Sequence, residues 1–125
     1  MQIINIGTDI EEVRRFENLD KKILQRLFTK EELTYCLGKK NQAQHLAVRF
    51  AAKEAVFKAL PFDEIALKKI EVLRKPAQKP QIVIHDKRAK DLIFKLSLSH
   101  TKNNAVAFVV VLKEEQNNAK NKKDN

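Results

Sequence analysis

The chain has 125 residues, 43% of them apolar and 33% charged, with a formal net charge of +9 and one cysteine. That length suits one domain able to bury roughly two-thirds of the surface its unfolded chain would expose. No apolar run approaches the ~20 residues a bilayer-spanning helix needs, and Met1 to Ile10 lack the basic leader of a signal peptide, so a cytoplasmic location is expected.

Gln2 to Ile6 reads as a short strand ending at Gly7, after which Ile10, Val13 and Phe16 follow a helical period. Thr29 and Glu32 have the spacing of a capping box and open a helix that Gly38 closes. Cys36 lies in that helix and reads as a buried, reduced thiol. Asn41 stands where it would cap a long helix running to Leu60, and Pro61 stops it. Strands are expected over 65–72, 81–84, 95–99 and 105–112, with a short helix over 86–93. The last of these strands is nearly continuous in apolar residues, which fits a central strand. Helices grouped early and strands late imply an α+β domain, an antiparallel sheet with helices on one side. One domain over 1–112 is expected, followed by a polar tail, 113–125, too hydrophilic to pack.

Charge on the long helix is the most informative feature. At 100° per residue Glu54 and Lys58 fall in an arc with Ala47, Ala51 and Ala55, while Leu46, Phe50, Phe57 and Leu60 form a second apolar stripe bordered by Arg49 and Lys53. Glu54 and Lys58 could form an ordinary surface ion pair one turn apart. Alternatively, charges on a face with so little polar surface are held by a ligand such as a metal or a phosphate. Asp9, at the end of the first strand, is equally open: a helix N-cap, or with Glu54 a carboxylate pair for a hard cation. Ser97-Leu-Ser-His-Thr101 ends a strand in polar residues before Asn103-Asn104, either an edge strand entering a turn or a phosphate-binding segment. Ser99 and His100 point to opposite faces of a strand, which argues against a nucleophile and base. The tail holds four Lys against three acidic residues, so the body carries +8 of the +9. Such a body attracts polyanions.

Gly7-Thr-Asp-Ile10, Arg49-Phe-Ala-Ala-Lys-Glu-Ala55 with Lys58, and Ser97-Leu-Ser-His-Thr101 followed by Ala105-Val-Ala107 resemble, in order and spacing, the holo-(acyl-carrier-protein) synthase family. These are the short 4′-phosphopantetheinyl transferases. The resemblance implies transfer of the 4′-phosphopantetheine arm of coenzyme A to a serine of apo-acyl carrier protein for fatty acid biosynthesis, leaving adenosine 3′,5′-bisphosphate. It implies a trimer with active sites between protomers, Mg²⁺ on Asp9 and Glu54, Glu54 as base, and Lys58 at the pyrophosphate. Arg49, Ser99, His100 and Thr101, with Lys58, would take the coenzyme A end, and a helix after Asp9 bearing Arg15, Arg14, Lys22 and Arg26 would dock the acidic carrier. Two departures stand out: Leu60-Pro-Phe-Asp63 replaces the glycine-rich loop of the family, and Gln78-Lys-Pro80 replaces its Gly-Lys-Pro turn, a change expected to touch no ligand. Other classes remain: a small basic nucleic-acid-binding module, for which exposed aromatics are scarce, and a coenzyme A-binding relative without turnover.

Overall fold

The computed structural model describes residues 1–115. Its elements in chain order are β1 (Gln2–Glu12), α1 (Lys21–Leu27), α2 (Lys30–Leu37), α3 (Gln42–Ala59), β2 (Ile70–Leu73), β3 (Gln81–Ile84), β4 (Leu92–His100) and β5 (Asn104–Lys113). Strands β1, β5 and β4 form an antiparallel three-stranded sheet with β5 in the middle, and β2 and β3 form a separate hairpin. The α+β arrangement and the central position of β5 follow the apolar pattern of the sequence. Of the expected polar tail, Lys113 ends β5 and residues 116–125 lie outside the described part.

The first strand does not end at Gly7. It continues through Asp9 to Glu12, pairing Gly7 with Val109 and Asp9 with Ala107, and no α-helix follows Asp9 directly. Val13–Phe16 is one 3₁₀ turn instead, and its buried Val13 and Phe16 account for the three-residue period that resembles a helix. Gly7 is a site of close approach rather than a stop. A Cβ there would lie 2.0 Å from the carbonyl oxygen of Ala55 and 3.1 Å from Cβ of Ala59. The alanine face of α3 thus meets a strand that also carries no side chain at the crossing. Ala51, Ala52, Ala55, Val56 and Ala59 form one core with Ala107, Val109 and Val111.

The capping box is present: Thr29 Oγ1 accepts from Glu32 N at 3.1 Å, and Glu32 Oε1 accepts from Thr29 N at 2.8 Å. Asn41 occupies the cap position of α3 but makes no side-chain capping bond. Strand β2 begins at Ile70 rather than Ile65 because the backbone before it turns to serve Lys53. The Lys53 ammonium, 0% exposed, bridges Glu32 at 2.7 Å and donates to the carbonyls of Leu67 (3.1 Å) and Ile70 (2.7 Å). Glu32 also accepts from Val72 N at 2.8 Å, while Glu71 accepts from Thr29 Oγ1 at 2.6 Å and contacts His85 Nε2 at 2.8 Å. One polar network therefore fastens α2, α3 and the β2–β3 hairpin, and its buried charges have internal partners. The helix expected over 86–93 is only the 3₁₀ turn Lys87–Ala89, with Leu92 and Ile93 already in β4.

Strand alternation gives the large sheet two unlike faces. Gly7, Asp9, Glu11, Ala105, Ala107, Val109 and Val111 turn toward α3, and Ile6, Ile10, Val106 and Phe108 turn away. Ile10 is 65% and Phe108 42% exposed, so the outer face is an uncovered apolar surface.

Candidate active site

On β1, Asp9 and Glu11 are two residues apart and share the face toward α3, where Glu54 stands. Lys58 does not pair with Glu54. Its Nζ lies 2.9 Å from Asp9 Oδ1 and 3.1 Å from the carbonyl of Thr8, so the ion pair runs from helix to strand. That bond and the nearby carboxylates hold the Lys58 ammonium above its ordinary range. Burial, then the charge of Asp9, raises Glu54, with Lys58 pulling the other way. Glu11, 8% exposed, is pushed up to about 7 by burial and by the neighbouring carboxylate of Asp9, against the pull of Arg15. Asp9 Oδ2 is buried with no hydrogen-bond partner.

Such a cluster has surplus negative charge and an unused oxygen, chemistry that suits a hard cation. Among the described residues no group of three or more His, Cys, Asp or Glu is arranged to hold an ion unaided. A cation here would therefore rely on water and phosphate oxygens from a substrate beside Asp9 and Glu54.

A second feature lies on another side of α3. A cavity of about 450 Å³ is lined by Tyr35, His45, Arg49, Arg74, Lys79 and His100 together with Ser97. Arg49 is 3% exposed, its Nε has no partner, and its Nη1 reaches only the carbonyl of His45 at 3.4 Å. Burial, then Arg49, Lys39, His100 and Arg74, depresses the His45 pKa. The cavity is a cationic recess without a carboxylate, the electrostatic complement of a phosphate. Residues 5–110 match the sequence profile of the 4′-phosphopantetheinyl transferase superfamily. The chain belongs to that superfamily.

Within it, the chain is 39% identical to a holo-[acyl-carrier-protein] synthase of Geotalea daltonii over 89% of this chain and 99% of that one. A holo-(acyl-carrier-protein) synthase from Bacillus anthracis, solved in complex with CoA (3′,5′-ADP), superposes with a TM-score of 0.79 at 34% identity, covering 91% of this chain and 100% of that one. The Helicobacter pylori enzyme, solved with coenzyme A, gives a TM-score of 0.74 at 29% identity over 86% and 99% of the two chains.

Among the residues that the family resemblance singled out, Asp9, Glu54 and Lys58 come together, and so do Arg49 and His100. These two groups remain separate: none of Asp9, Glu54 and Lys58 lines the basic cavity. Ser99 pairs with Val106 on the outer face, and Thr101 Oγ1 accepts from the N–H groups of Asn103 (3.3 Å) and Asn104 (3.1 Å), so neither joins Arg49 within one protomer. Arg15 and Arg14 sit in the 3₁₀ turn rather than on an α-helix, bonded to Glu11 (2.7 Å) and Glu12 (3.0 Å), while Lys22 and Arg26 are exposed on α1.

Sequence reasoning missed Glu11, Tyr35, His45, Arg74 and Lys79. Glu11 was available from strand alternation, since it shares the face of Asp9. Lys79 and Pro80 form part of the cavity wall, because the β2–β3 hairpin folds back toward α3, while Gln78, the residue that departs from the family turn, does not line it. Non-glycine residues take left-handed backbone near both departures from the family pattern, Glu64 at φ 60° and Ala77 at φ 60°.

Proposed function

We propose that the protein transfers the 4′-phosphopantetheine arm of coenzyme A to a serine hydroxyl of apo-acyl carrier protein, with adenosine 3′,5′-bisphosphate as the other product. The observation that carries this reading is the pairing on one helix of a carboxylate cluster with a cationic, carboxylate-free cavity. Asp9 and Glu54 would hold Mg²⁺, and the orphan Oδ2 of Asp9 supports this assignment. The ion, when bound, neutralises charge on the pyrophosphate oxygens. Glu54, its proton affinity raised by burial, takes the proton of the serine hydroxyl as the new O–P bond forms. The pyrophosphate P–O–P bridge breaks on the side of the transferred phosphorus, and the departing phosphate keeps the electron pair. Lys58, released from Asp9, donates to that phosphate. Arg49 and His100 hold the adenosine bisphosphate end.

A homotrimer belongs to the same reading. Its support is twofold: the uncovered apolar face of the β1–β5–β4 sheet, and the separation of the two halves of the site in one protomer. Arg14, Arg15, Lys22 and Arg26 form the surface for an acidic carrier. No helix among the described residues is long and apolar enough to cross a membrane, and a cytoplasmic location belongs to the same reading.

Incubating the protein with apo-acyl carrier protein, coenzyme A and Mg²⁺ should make the carrier heavier by one phosphopantetheine, read by mass spectrometry. The reading fails if its own carrier shows no shift while an established transferase modifies the same sample. Glu54→Gln should lower turnover by at least about 100-fold with an unchanged melting profile.

A further inference from the structure

Arg49 presents a problem of orientation. A buried guanidinium usually has its planar N–H fork fixed by a carboxylate, yet among the described residues Arg49 has no acidic partner and one long bond to its own helix. A different group fixes it. The Tyr35 ring, carried on α2, lies 4.2 Å from Cζ of Arg49. The same ring is approached by Lys39 Nζ at 4.5 Å and edge-on by the His45 imidazole at 5.6 Å and 79°. One aromatic surface thus gathers Arg49 and Lys39, two cations that would otherwise repel each other, because the negative face of its quadrupole attracts both. A guanidinium held over the face of a ring at this distance is restrained from swinging away from it. The contact that restrains the group bearing the free Nε–H is therefore the Tyr35 ring rather than a salt bridge.

We propose that Tyr35 is a positioning residue for substrate selection: it holds Arg49, with Lys39 beside it, in the orientation that grips the phosphate on the 3′ carbon of the coenzyme A ribose. The proposal rests on the reading that this cavity takes the adenosine bisphosphate end. It assigns Tyr35 no contact with the reacting atoms. Its effect is confined to the one phosphate that distinguishes coenzyme A from dephospho-coenzyme A.

The test is to measure kcat and KM with both substrates for the wild type, Tyr35→Phe and Tyr35→Leu, each checked for an unchanged melting profile. The wild type should prefer coenzyme A. Tyr35→Leu should raise KM for coenzyme A by about tenfold, a desolvated cation–ring contact being of that order, with kcat and the dephospho-coenzyme A values within about twofold. Tyr35→Phe, which keeps the ring, should match the wild type. Should Tyr35→Leu not fold, Tyr35→Met fills the space without a ring and carries the same expectation. An unchanged substrate ratio in the ringless variant, or an equal loss with both substrates, overturns the role of Tyr35 while leaving the cavity assignment standing. A wild type indifferent to the 3′-phosphate overturns the cavity assignment and the proposal with it.

Discussion

Gly7→Ala is the sharpest test of how the strand and the helix position the site. A single methyl group at Gly7 would stand 2.0 Å from the Ala55 carbonyl oxygen, and β1 would have to retreat by about 1.4 Å to reach an ordinary 3.4 Å contact. The obstacle is a helix backbone, which cannot rotate aside as a side chain can. Overpacking in a core costs about 1–3 kcal/mol, and a clash with backbone belongs at the upper end. For a domain of this size a loss of about 3 kcal/mol lowers the melting temperature by about 10 °C. Because Asp9 lies two residues further on and bonds Lys58 at 2.9 Å, the same retreat would pull the carboxylate cluster apart. Thermal unfolding by circular dichroism and the carrier mass assay should both show the loss. Ala59→Gly in the same chain relieves only the 3.1 Å methyl contact and should not restore either. A Gly7→Ala protein melting within about 2 °C of the wild type would refute the account of why this helix face is alanine.

Two other perturbations probe the buried charges. Glu11 titrates near 7 in the folded protein against 4.5 as its ordinary value. Its stabilising contribution is therefore complete below about pH 4.5 and is lost as pH rises through 7, by linkage roughly 2 kcal/mol between about pH 5 and 8. Urea unfolding in the presence of a chelator should show that decline in the wild type and a flatter profile in Glu11→Gln; matching profiles would contradict the assignment. Lys53→Met leaves Glu32 buried without its counter-charge and the carbonyls of Leu67 and Ile70 without their donor, so a loss of about 3–5 kcal/mol is expected from denaturant midpoints. A loss below about 1 kcal/mol would mean the network is not sealed from water.

The sequence was readable where local chemistry determines structure. Thr29 and Glu32 announce the start of α2 because both partners of the capping box lie within one turn, and β5 is recognisable as central from its apolar run. It was misleading where a residue serves a distant neighbour. Gly7 reads as a strand end because glycine weakens strands, whereas here it admits the carbonyl of Ala55, a residue distant in the chain. Lys53 and Glu54 are adjacent on one helix, and a helical projection shows their faces but not their partners. The structure gives Lys53 to Glu32 and to backbone carbonyls, and leaves Glu54 beside Asp9. Phe57, expected in the apolar stripe, is exposed, and the buried face is built from alanines instead. Arg49 and His100, singled out by separate motifs, line one cavity. The place of Lys79 in its wall was not legible, because nothing local to that turn shows which helix the hairpin covers.

The distance between the two halves of the site has a consequence for the behaviour of mixtures. If the carboxylate cluster of one protomer faces the basic cavity of the next, a closed ring has as many working sites as chains, while an open pair of chains has only one. Dilution would then remove activity before it unfolds any chain. A chain crippled at Asp9 and another crippled at Arg49, each inactive when alone, could still form a working site at the seam where the sound half of one meets the sound half of the other.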